Sequence, residues 1–389
     1  MAHWNKFDMN ITVLTRGLKG IVIFSIVLIV GFSIFHPIIV VKRKEILIAY
    51  FNKFIWKSEA PSEQMSFSYV TTDAVSYNST VEPAPVACLP NSSFNVLTAD
   101  LRPIYKDFMM YRHCRDFPLL LKASSCRERD TFLLLAVKSL AENADRRASV
   151  RSTWGQERTV AGARIRRVFL LGMTESRIRS QAVQAMVEHE SEEHGDIVQW
   201  GFRESFFNVT LKETLFWKWF SEDCRAVPFV LKGDDDVFVN VENVVEYLKD
   251  FNPANDLYVG DVFRNWYPTR VAQSKYFIPL FLYGNEPYPP YAGGGGYLLS
   301  GASIQKLYNV SKTEELFPID DAFVGICAQR AKIEVTSHAG FRTYGNIPYD
   351  PCIYKELMLV HRVTPNELWL IWSLLKDANK MPCSRFTKI

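Results

Sequence analysis

The stretch Lys232-Gly233-Asp234-Asp235-Asp236-Val237 closes a short apolar run from Pro228 to Leu231. The apolar run predicts a buried strand, and the three carboxylates follow where that strand meets a turn. Carboxylates this close repel one another unless a cation neutralises them, and their oxygens are the ligands that Mg²⁺ and Mn²⁺ prefer. The stretch therefore favours a metal site that serves a phosphate-bearing cosubstrate. An exposed Asp-rich turn or a calcium loop is the alternative.

Short apolar runs alternate with helical stretches around this segment. The predicted strands are Phe132–Val137, Val168–Gly172, Asp196–Trp200 and Phe229–Leu231. The predicted helices are Ala144–Thr153, Glu175–Glu193 and Leu211–Glu222. This alternation predicts a doubly wound α/β sheet, in which ligands bind beyond the carboxyl ends of the strands. The Asp triplet occupies such an end.

Two further segments predict ligand contacts at the same edge. Arg147 and Arg151 follow the first strand, so they could hold a diphosphate through charge-assisted hydrogen bonds, or they could be ordinary arginines on a surface helix. The run Gly293–Gly296 lies between aromatic residues. Because four glycines lose much conformational freedom on folding, we expect them where the backbone approaches a ligand closely. A strand is predicted directly afterwards, from Tyr297.

An acidic pair and a histidine complete the candidate site. Asp320 and Asp321 open a predicted helix, where one carboxylate can cap the helix and the other can act as a general base. His361 ends an apolar run. A histidine in that position is usually structural, but it would be functional if it shared a metal with the Asp triplet.

The first part of the chain predicts a membrane anchor. From Ile21 to Val41 there is no charged residue, and a helix of that length covers about 30 Å, the thickness of a bilayer core. Basic residues flank both sides, so charge alone does not orient the span. Four glycosylation patterns lie beyond it and favour a lumenal location. They begin at Asn78, Asn91, Asn208 and Asn309.

The composition fits a large folded domain outside the cytosol. All seven cysteines lie after the predicted span and none shows CxxC spacing, which favours disulfides with at least one cysteine left over. With 48% hydrophobic residues the chain can bury a large core. A net charge of +3 is too small to indicate nucleic-acid binding, which we exclude.

The order and wording of these segments resemble the β-1,3-glycosyltransferases, a family that includes β-1,3-galactosyltransferases, β-1,3-N-acetylglucosaminyltransferases and Fringe. The resemblance covers about residues 106–373. Its motifs are Arg147 to Gly155, Phe169 to Gly172, Lys232 to Asn240, Gly260-Asp261-Val262, Tyr288 to Ser300, Ile319 to Gly325 and Val360-His361. Phe206 to Lys212 and Asp350 to Tyr354 most resemble the N-acetyllactosaminide β-1,3-N-acetylglucosaminyltransferase branch.

This resemblance implies a single-pass type II Golgi membrane enzyme with a GT-A fold, a Rossmann-like mixed sheet flanked by helices. The implied domains are a cytoplasmic tail 1–20, a signal anchor 21–41, a stem 42–105 and a lumenal catalytic domain 106–389. The implied donor is UDP-N-acetylglucosamine, with Mn²⁺ or Mg²⁺ as cofactor. The implied acceptor is a β-galactose-terminated glycan on protein or lipid, such as polylactosamine or extended core 1. Whether the chain forms a homodimer stays open.

The resemblance also implies residue roles. Asp321 would be the catalytic base, and Asp234, Asp236 and His361 would bind the metal. The donor contacts would come from Arg147, Arg151, Lys232, Asp234, Asp235, Gly294 and Gly295. The acceptor contacts would come from Trp266, Tyr288, Tyr291 and Asp320.

Together these roles imply an inverting displacement in which Asp321 deprotonates the acceptor hydroxyl. Two alternatives remain at this stage. One is a β-1,3-galactosyltransferase that uses UDP-galactose. The other is a catalytically silent glycan-binding membrane protein.

Overall fold

The computed structural model describes residues 88–94, 101–124, 130–176, 178–345, 347–348, 350–378 and 383. The predicted tail 1–20, the predicted span 21–41, Asn78 and most of the predicted stem lie outside these residues. Within the described ranges, no helix is both long enough and apolar enough to cross a membrane.

The described part of the chain alternates strands and helices. The strands are β1 Leu119–Leu121, β2 Thr131–Lys138, β3 Arg158–Val160, β4 Ala163–Met173, β5 Ile197–Arg203, β6 Phe229–Asp234, β7 Val237–Val239, β8 Tyr258–Phe263, β9 Tyr291–Ser300, β10 Thr336–Ser337, β11 Phe341–Arg342 and β12 Leu359–His361. The helices are α1 Pro103–Tyr111, α2 Ala144–Ser152, α3 Ser180–His194, α4 Val209–Asp223, α5 Val241–Leu248, α6 Gly301–Ser311, α7 Asp320–Ala331, α8 Pro351–Glu356 and α9 Pro365–Ala378.

A large mixed sheet forms the centre of the fold. Its strand order is β1-β5-β4-β2-β6-β9-β8-β10, with β3 paired to β4. The four strands predicted from the sequence, β2, β4, β5 and β6, pair in parallel. In contrast, β9 is antiparallel to both of its neighbours, β6 and β8. The α/β prediction is confirmed, and the sheet is mixed because the chain returns through β9.

Burial explains why β2 occupies the middle of the sheet. Leu134 and Ala136 pack into the hydrophobic core on one face, whereas Leu133, Leu135 and Val137 pack into the core on the other. All five side chains are fully buried. A continuous apolar run is therefore the pattern expected of a strand covered on both faces.

Two boundaries differ from the sequence-based expectations. Helix α3 begins at Ser180 rather than Glu175. Strand β9 begins at Tyr291 rather than Tyr297, so it contains the whole glycine run. Helix α1 spans the boundary predicted between stem and catalytic domain at residue 105.

Two cysteine pairs in the described residues lie at disulfide distance. Cys88 and Cys114 lie at disulfide distance, with their Cα atoms 5.9 Å apart. Cys352 and Cys383 form a second such pair, with a Cα separation of 5.6 Å. Cys327 is free and buried.

A second sheet of three strands, in the order β11-β12-β7, lies next to the Asp triplet. Strand β7 follows the triplet, and β12 pairs with it so that His361 lies opposite Val237. Strand β11 runs parallel to β12, with Arg342 opposite Val360. Thr343 follows Arg342 and therefore lies level with His361.

A buried ion pair joins the main sheet to helix α4. Lys232 on β6 pairs with Glu213 on α4, and both side chains are shielded from solvent. Glu213 Oε1 also accepts a hydrogen bond from the Tyr297 hydroxyl at 3.0 Å. Burial lowers the pKa of Lys232, because a charged ammonium is costly away from water. Each charge is therefore tolerated only because its partner is present.

We expect Glu213→Leu to destabilise the protein by about 3–5 kcal/mol, since it would leave the Lys232 ammonium buried and unpaired. Urea unfolding followed by circular dichroism measures this. The matched control is Asp256→Asn, which removes a solvent-accessible pair with Lys306 and should cost less than about 1 kcal/mol. Equal effects of the two substitutions would contradict the assigned importance of the buried pair.

Candidate active site

Three potential metal ligands meet where β6 ends. Asp234, Asp236 and His361 each offer an atom, and these atoms lie within 4.8 Å of one another. His361 Nε2 is 3.3 Å from Asp236 Oδ1 and 4.0 Å from Asp234 Oδ2. The β7–β12 pairing brings the histidine to the triplet, and the Val363 backbone N–H fixes the turn by donating to the Asp236 carbonyl at 2.7 Å.

The charges of this cluster depend on one another. Burial opposes ionisation of Asp236, but the hydrogen bond and charge of His361, together with Arg146, outweigh it and lower the pKa of this carboxyl. Burial likewise disfavours the His361 imidazolium, yet Asp236 and Asp234 together raise its pKa. The pKa of Asp234 is raised, first by burial and then by the neighbouring carboxylates. Asp236 is therefore the more acidic of these two carboxyl groups.

The acidic pair at the start of α7 lies beside this cluster. Lys138, at the end of β2, connects the two, because its Nζ is 3.1 Å from Asp234 Oδ1 and 2.8 Å from Asp320 Oδ2. Burial alone would lower the pKa of Lys138, but the surrounding carboxylates raise it well above its ordinary value. The lysine therefore stays charged and holds the two acidic groups together.

Asp320 and Asp321 titrate very differently. Burial disfavours the charged form of Asp320, but Lys138 more than compensates, so its pKa falls. For Asp321, burial and then the adjacent negative Asp320 raise the pKa well above its ordinary value. A carboxylate with a raised pKa is a stronger base. The pair thus contains one fixed negative charge and one side chain suited to accept a proton.

The glycine run is required by the packing of these side chains. A Cβ at Gly294 would lie 2.6 Å from Asp321 Oδ1, and a Cβ at Gly295 would lie 2.6 Å from the Cβ of His361. These separations are shorter than any normal contact. The sequence interpretation assigned the glycines to a close approach between backbone and ligand. In the structure, their close neighbours are instead Asp321, the candidate base, and His361, a candidate metal ligand.

The run also departs from regular pairing. Gly260 pairs with Tyr297 and Val262 pairs with Ala292, so β9 has four residues, Gly293–Gly296, where β8 has only Asp261. The last pair between β6 and β9 is Gly233 with Gly296. This is an extended bulge, a feature that often re-aims side chains next to active sites.

The three cations predicted to bind a diphosphate are already engaged with protein groups. Arg147 is fully buried and bonds Glu190 through two nitrogens, at 2.8 and 2.7 Å. Arg151 bonds Glu190 at 2.7 Å and Asp196 at 2.9 and 2.7 Å. Lys232 is buried against Glu213. These placements argue against direct donor contacts, because each charge is neutralised below the rim of the site.

Asp235 also differs from its predicted role as a donor contact. It is buried, accepts hydrogen bonds from Ser139 Oγ at 2.7 Å and Asn143 Nδ2 at 2.9 Å, and lies 3.4 Å from Arg146 Nη1. Burial raises its pKa. The middle carboxylate therefore attaches the triplet to the start of α2, while its two neighbours face the cluster.

Two residues at the site received no individual role in the sequence interpretation, although Arg146 belongs to the arginine segment that was expected near the rim. Lys138 directly follows a predicted strand, and nothing else in the local sequence indicated a functional role for it. Arg146 is half-buried, and its Nη1 lies 3.5 Å from Asp236 Oδ2. A helical signal for it did exist, because Val150 and Trp154 follow Arg147 at helical spacing and assign Arg147 to the buried face. Arg146 is then the arginine closer to the cleft.

Aromatic side chains lie on the acid-pair side of the site. Tyr291 stacks on Phe263, with ring centroids 5.7 Å apart, and Phe263 meets Trp266 edge-on at 5.3 Å. Trp266 is 51% exposed, whereas Tyr288 is buried. Burial and the charge of Asp321 raise the pKa of Tyr291, which places this ring near the candidate base. Trp266 and Tyr291 thus remain candidates for contact with a sugar, while Tyr288 supports them from below.

Three of the predicted glycosylation sites lie within the described residues. Asn91 and Asn309 are exposed, whereas Asn208 is half-buried and donates to the Arg203 carbonyl at 2.7 Å.

Comparison with known proteins gives consistent matches. The galactosyltransferase family matches residues 145–339. Human N-acetyllactosaminide beta-1,3-N-acetylglucosaminyltransferase 4 is 47% identical, over 75% of this chain and 77% of its own length. Human N-acetyllactosaminide beta-1,3-N-acetylglucosaminyltransferase 3 is 42% identical, over 79% of this chain and 85% of its own length. Human acetylgalactosaminyl-O-glycosyl-glycoprotein beta-1,3-N-acetylglucosaminyltransferase is 41% identical, over 85% of this chain and 91% of its own length. The family match includes the Asp triplet, the glycine run and the acid pair, and it ends before His361.

We expect Gly294→Ala to destabilise the protein by about 1–3 kcal/mol, since the new methyl group would overlap the Asp321 carboxylate and force one of them to move. Thermal unfolding measures this change. Gly284→Ala is the matched control, because a Cβ there would meet only Glu286 Oε2, at an ordinary 3.5 Å. An unchanged melting temperature for Gly294→Ala would contradict the packing described above.

Proposed function

Because the chain belongs to the galactosyltransferase family, we propose that it transfers N-acetylglucosamine from UDP-N-acetylglucosamine to the 3-hydroxyl of a terminal β-galactose. Its relatives are named β-1,3-N-acetylglucosaminyltransferases, and the chain covers most of their length. A nucleotide-sugar donor and a glycan acceptor follow from that membership. The α/β architecture is consistent with the GT-A arrangement that we include in this proposal.

The pairing of Asp321 with Asp320 is the observation that carries the mechanism. Asp321 has a raised pKa and accepts the proton of the acceptor hydroxyl as the galactose oxygen attacks the anomeric carbon. The bond from that carbon to the UDP oxygen breaks on the opposite side, so the configuration inverts. UDP leaves with the electron pair. The negative charge of Asp320 keeps the pKa of Asp321 raised. Lys138 holds the acidic pair beside the cluster, because it contacts both Asp320 and Asp234.

The residues at the end of β6 fit a divalent cation. Two carboxylates and one imidazole are ligands that suit Mn²⁺, and their ligand atoms already converge. When bound, such an ion supplies positive charge that stabilises the departing diphosphate. Arg146 lies beside Asp236 and adds a fixed cation on the same side. We assign Asp234, Asp236 and His361 to the metal and Arg146 to the diphosphate.

The proposed location is the lumenal side of the Golgi membrane, with residues 21–41 as the anchor. The exposed glycosylation patterns at Asn91 and Asn309 and the cysteine pairs at disulfide distance support an extracytoplasmic domain. The anchor itself remains a prediction from sequence.

A panel of UDP-sugars and β-galactosides, with the product linkage determined, tests the activity. We expect UDP-N-acetylglucosamine to be the preferred donor and the product to carry a β-1,3 linkage. Asp321→Asn should lower turnover by about 10²–10⁴-fold because it removes the base, yet bind UDP as the wild type does. Asp256→Asn, a carboxylate-to-amide change on the surface, is the control. Faster transfer from UDP-galactose would refute the donor assignment, and near-normal turnover of Asp321→Asn would refute the base.

The pH profile of kcat/KM should report the raised pKa of Asp321. Activity requires the ionised carboxylate, so it falls as the pH decreases through a pKa that lies above the ordinary range of an aspartate. Asp320→Asn removes the adjacent negative charge and should move this acidic limb to lower pH. The profile is measured at saturating metal. An acidic limb at the same pH in both proteins would contradict the proposed electrostatic coupling.

The raised pKa of Asp321 makes stability depend on pH in the opposite direction to activity: activity rises with pH, whereas the contribution of this carboxyl to folding stability falls. A carboxyl whose pKa is raised on folding stabilises the folded state below its unfolded pKa, and this contribution is lost as the pH rises through its folded pKa. Asp321 therefore contributes less to the stability of the folded protein at pH values above its folded pKa than it does in acid.

A further inference from the structure

The proposed mechanism leaves the Gly260-Asp261-Val262 motif without a role. Asp261 is the single residue of β8 that faces the four-glycine bulge of β9. One oxygen of its side chain, Oδ2, accepts two hydrogen bonds from Thr343. The Thr343 backbone N–H donates to it at 3.0 Å, and the Thr343 hydroxyl donates to it at 2.8 Å. The aspartate therefore fixes both the backbone and the side chain of Thr343.

Thr343 in turn fixes the ring of His361. The Thr343 carbonyl lies 3.2 Å from His361 Nδ1. A carbonyl oxygen can only accept, so Nδ1 must carry the hydrogen. The other ring nitrogen, Nε2, is then the one that faces the carboxylates of Asp234 and Asp236. In a neutral imidazole this nitrogen has the free electron pair that a metal needs.

The glycine run packs closely against Thr343 and His361. A Cβ at Gly293 would lie 2.5 Å from Thr343 Oγ1. A Cβ at Gly295 would lie 2.6 Å from the Cγ of His361. Thr343 is itself buried. The hydrogen bonds therefore act on side chains that are packed against the β9 backbone rather than on an exposed loop.

We propose that Asp261 is a positioning residue for the metal site and acts through Thr343 to set the orientation and tautomer of His361. This inference rests on the metal assignment made under the proposed function. Metal-binding histidines are commonly fixed by an acceptor on their second nitrogen, and loss of such an acceptor weakens metal affinity. Here the acceptor is the backbone carbonyl of Thr343. The Asp261 carboxylate orients Thr343 and so acts on the metal site through one intervening residue.

The alternative is that Asp261 only stabilises the fold. A structural role would lower the unfolding temperature of an Asp261 variant but leave the metal affinity of the folded protein unchanged. A positioning role instead weakens metal binding, while turnover recovers when excess metal is supplied. These outcomes differ in a binding measurement that does not depend on catalysis.

The test titrates the full chain with Mn²⁺ in the presence of saturating UDP and measures free Mn²⁺ by electron paramagnetic resonance. Asp261→Asn replaces the charged acceptor, and Thr343→Val removes the hydroxyl at nearly constant volume. We expect each to weaken Mn²⁺ binding by about 10-fold, with no further loss in the double variant because both act through His361. Two controls should bind as the wild type does. Thr343→Ser keeps the hydroxyl, and Asp256→Asn removes a carboxylate that pairs with Lys306 at 2.7 Å near the other end of β8.

Wild-type Mn²⁺ affinity in folded Asp261→Asn and Thr343→Val would overturn this inference alone. Strict additivity in the double variant would also overturn it. A wild-type protein that transfers sugar yet binds no Mn²⁺ would overturn both the metal assignment and this inference, and would leave glycosyl transfer in place. Loss of kcat that excess Mn²⁺ does not restore would show that Asp261 acts on something other than the metal site.

Discussion

Repulsion between carboxylates is the constraint on which this active site depends. Four acidic side chains converge in a partly shielded cleft, two from the end of β6 and the turn that follows it and two from the start of α7. Like charges this close would push the two segments apart. Lys138 prevents this by contacting Asp234 and Asp320 at once. His361 does the same for Asp236 from the opposite side. Lys138 lies on β2 of the main sheet and His361 lies on β12 of the three-stranded sheet, so both sheets must form before the acidic groups can share one site.

The lack of side chains on the glycines of β9 is as important to this site as the acidic side chains themselves. The extended bulge of β9 gives Thr343, Asp321 and His361 one glycine each to pack against, at Gly293, Gly294 and Gly295. A methyl group at any of these positions would occupy space that a site residue needs. The entropic cost of ordering the glycines is thus offset by bringing Asp321 and His361 close to one backbone segment. The positions of the site residues in this region therefore depend on the shape of the β9 backbone.

Much of this arrangement could be predicted from the sequence, and the exceptions have physical causes. The apolar runs identified β2, β4, β5 and β6, and their parallel pairing places the Asp triplet at a rim. Arg147 was misjudged because its charge suggested a ligand, whereas Glu190 satisfies it inside the fold. Lys138 was missed because long-range pairing, rather than any local pattern, brings it to Asp320. The bulge of β9 was missed because glycine usually interrupts strands.

The pairing of β12 with β7 has a consequence for how the enzyme matures. Strand β12 supplies His361 more than a hundred residues after the acidic triplet that it completes, and it lies beyond the segment 145–339 shared with the family. Contacts so distant in sequence form late, because a long loop must close first. A ribosome-bound chain that has already folded its central sheet would still lack this histidine. The cluster of Asp234, Asp236 and His361 would therefore be complete only once synthesis has passed β12 and this strand has paired with β7.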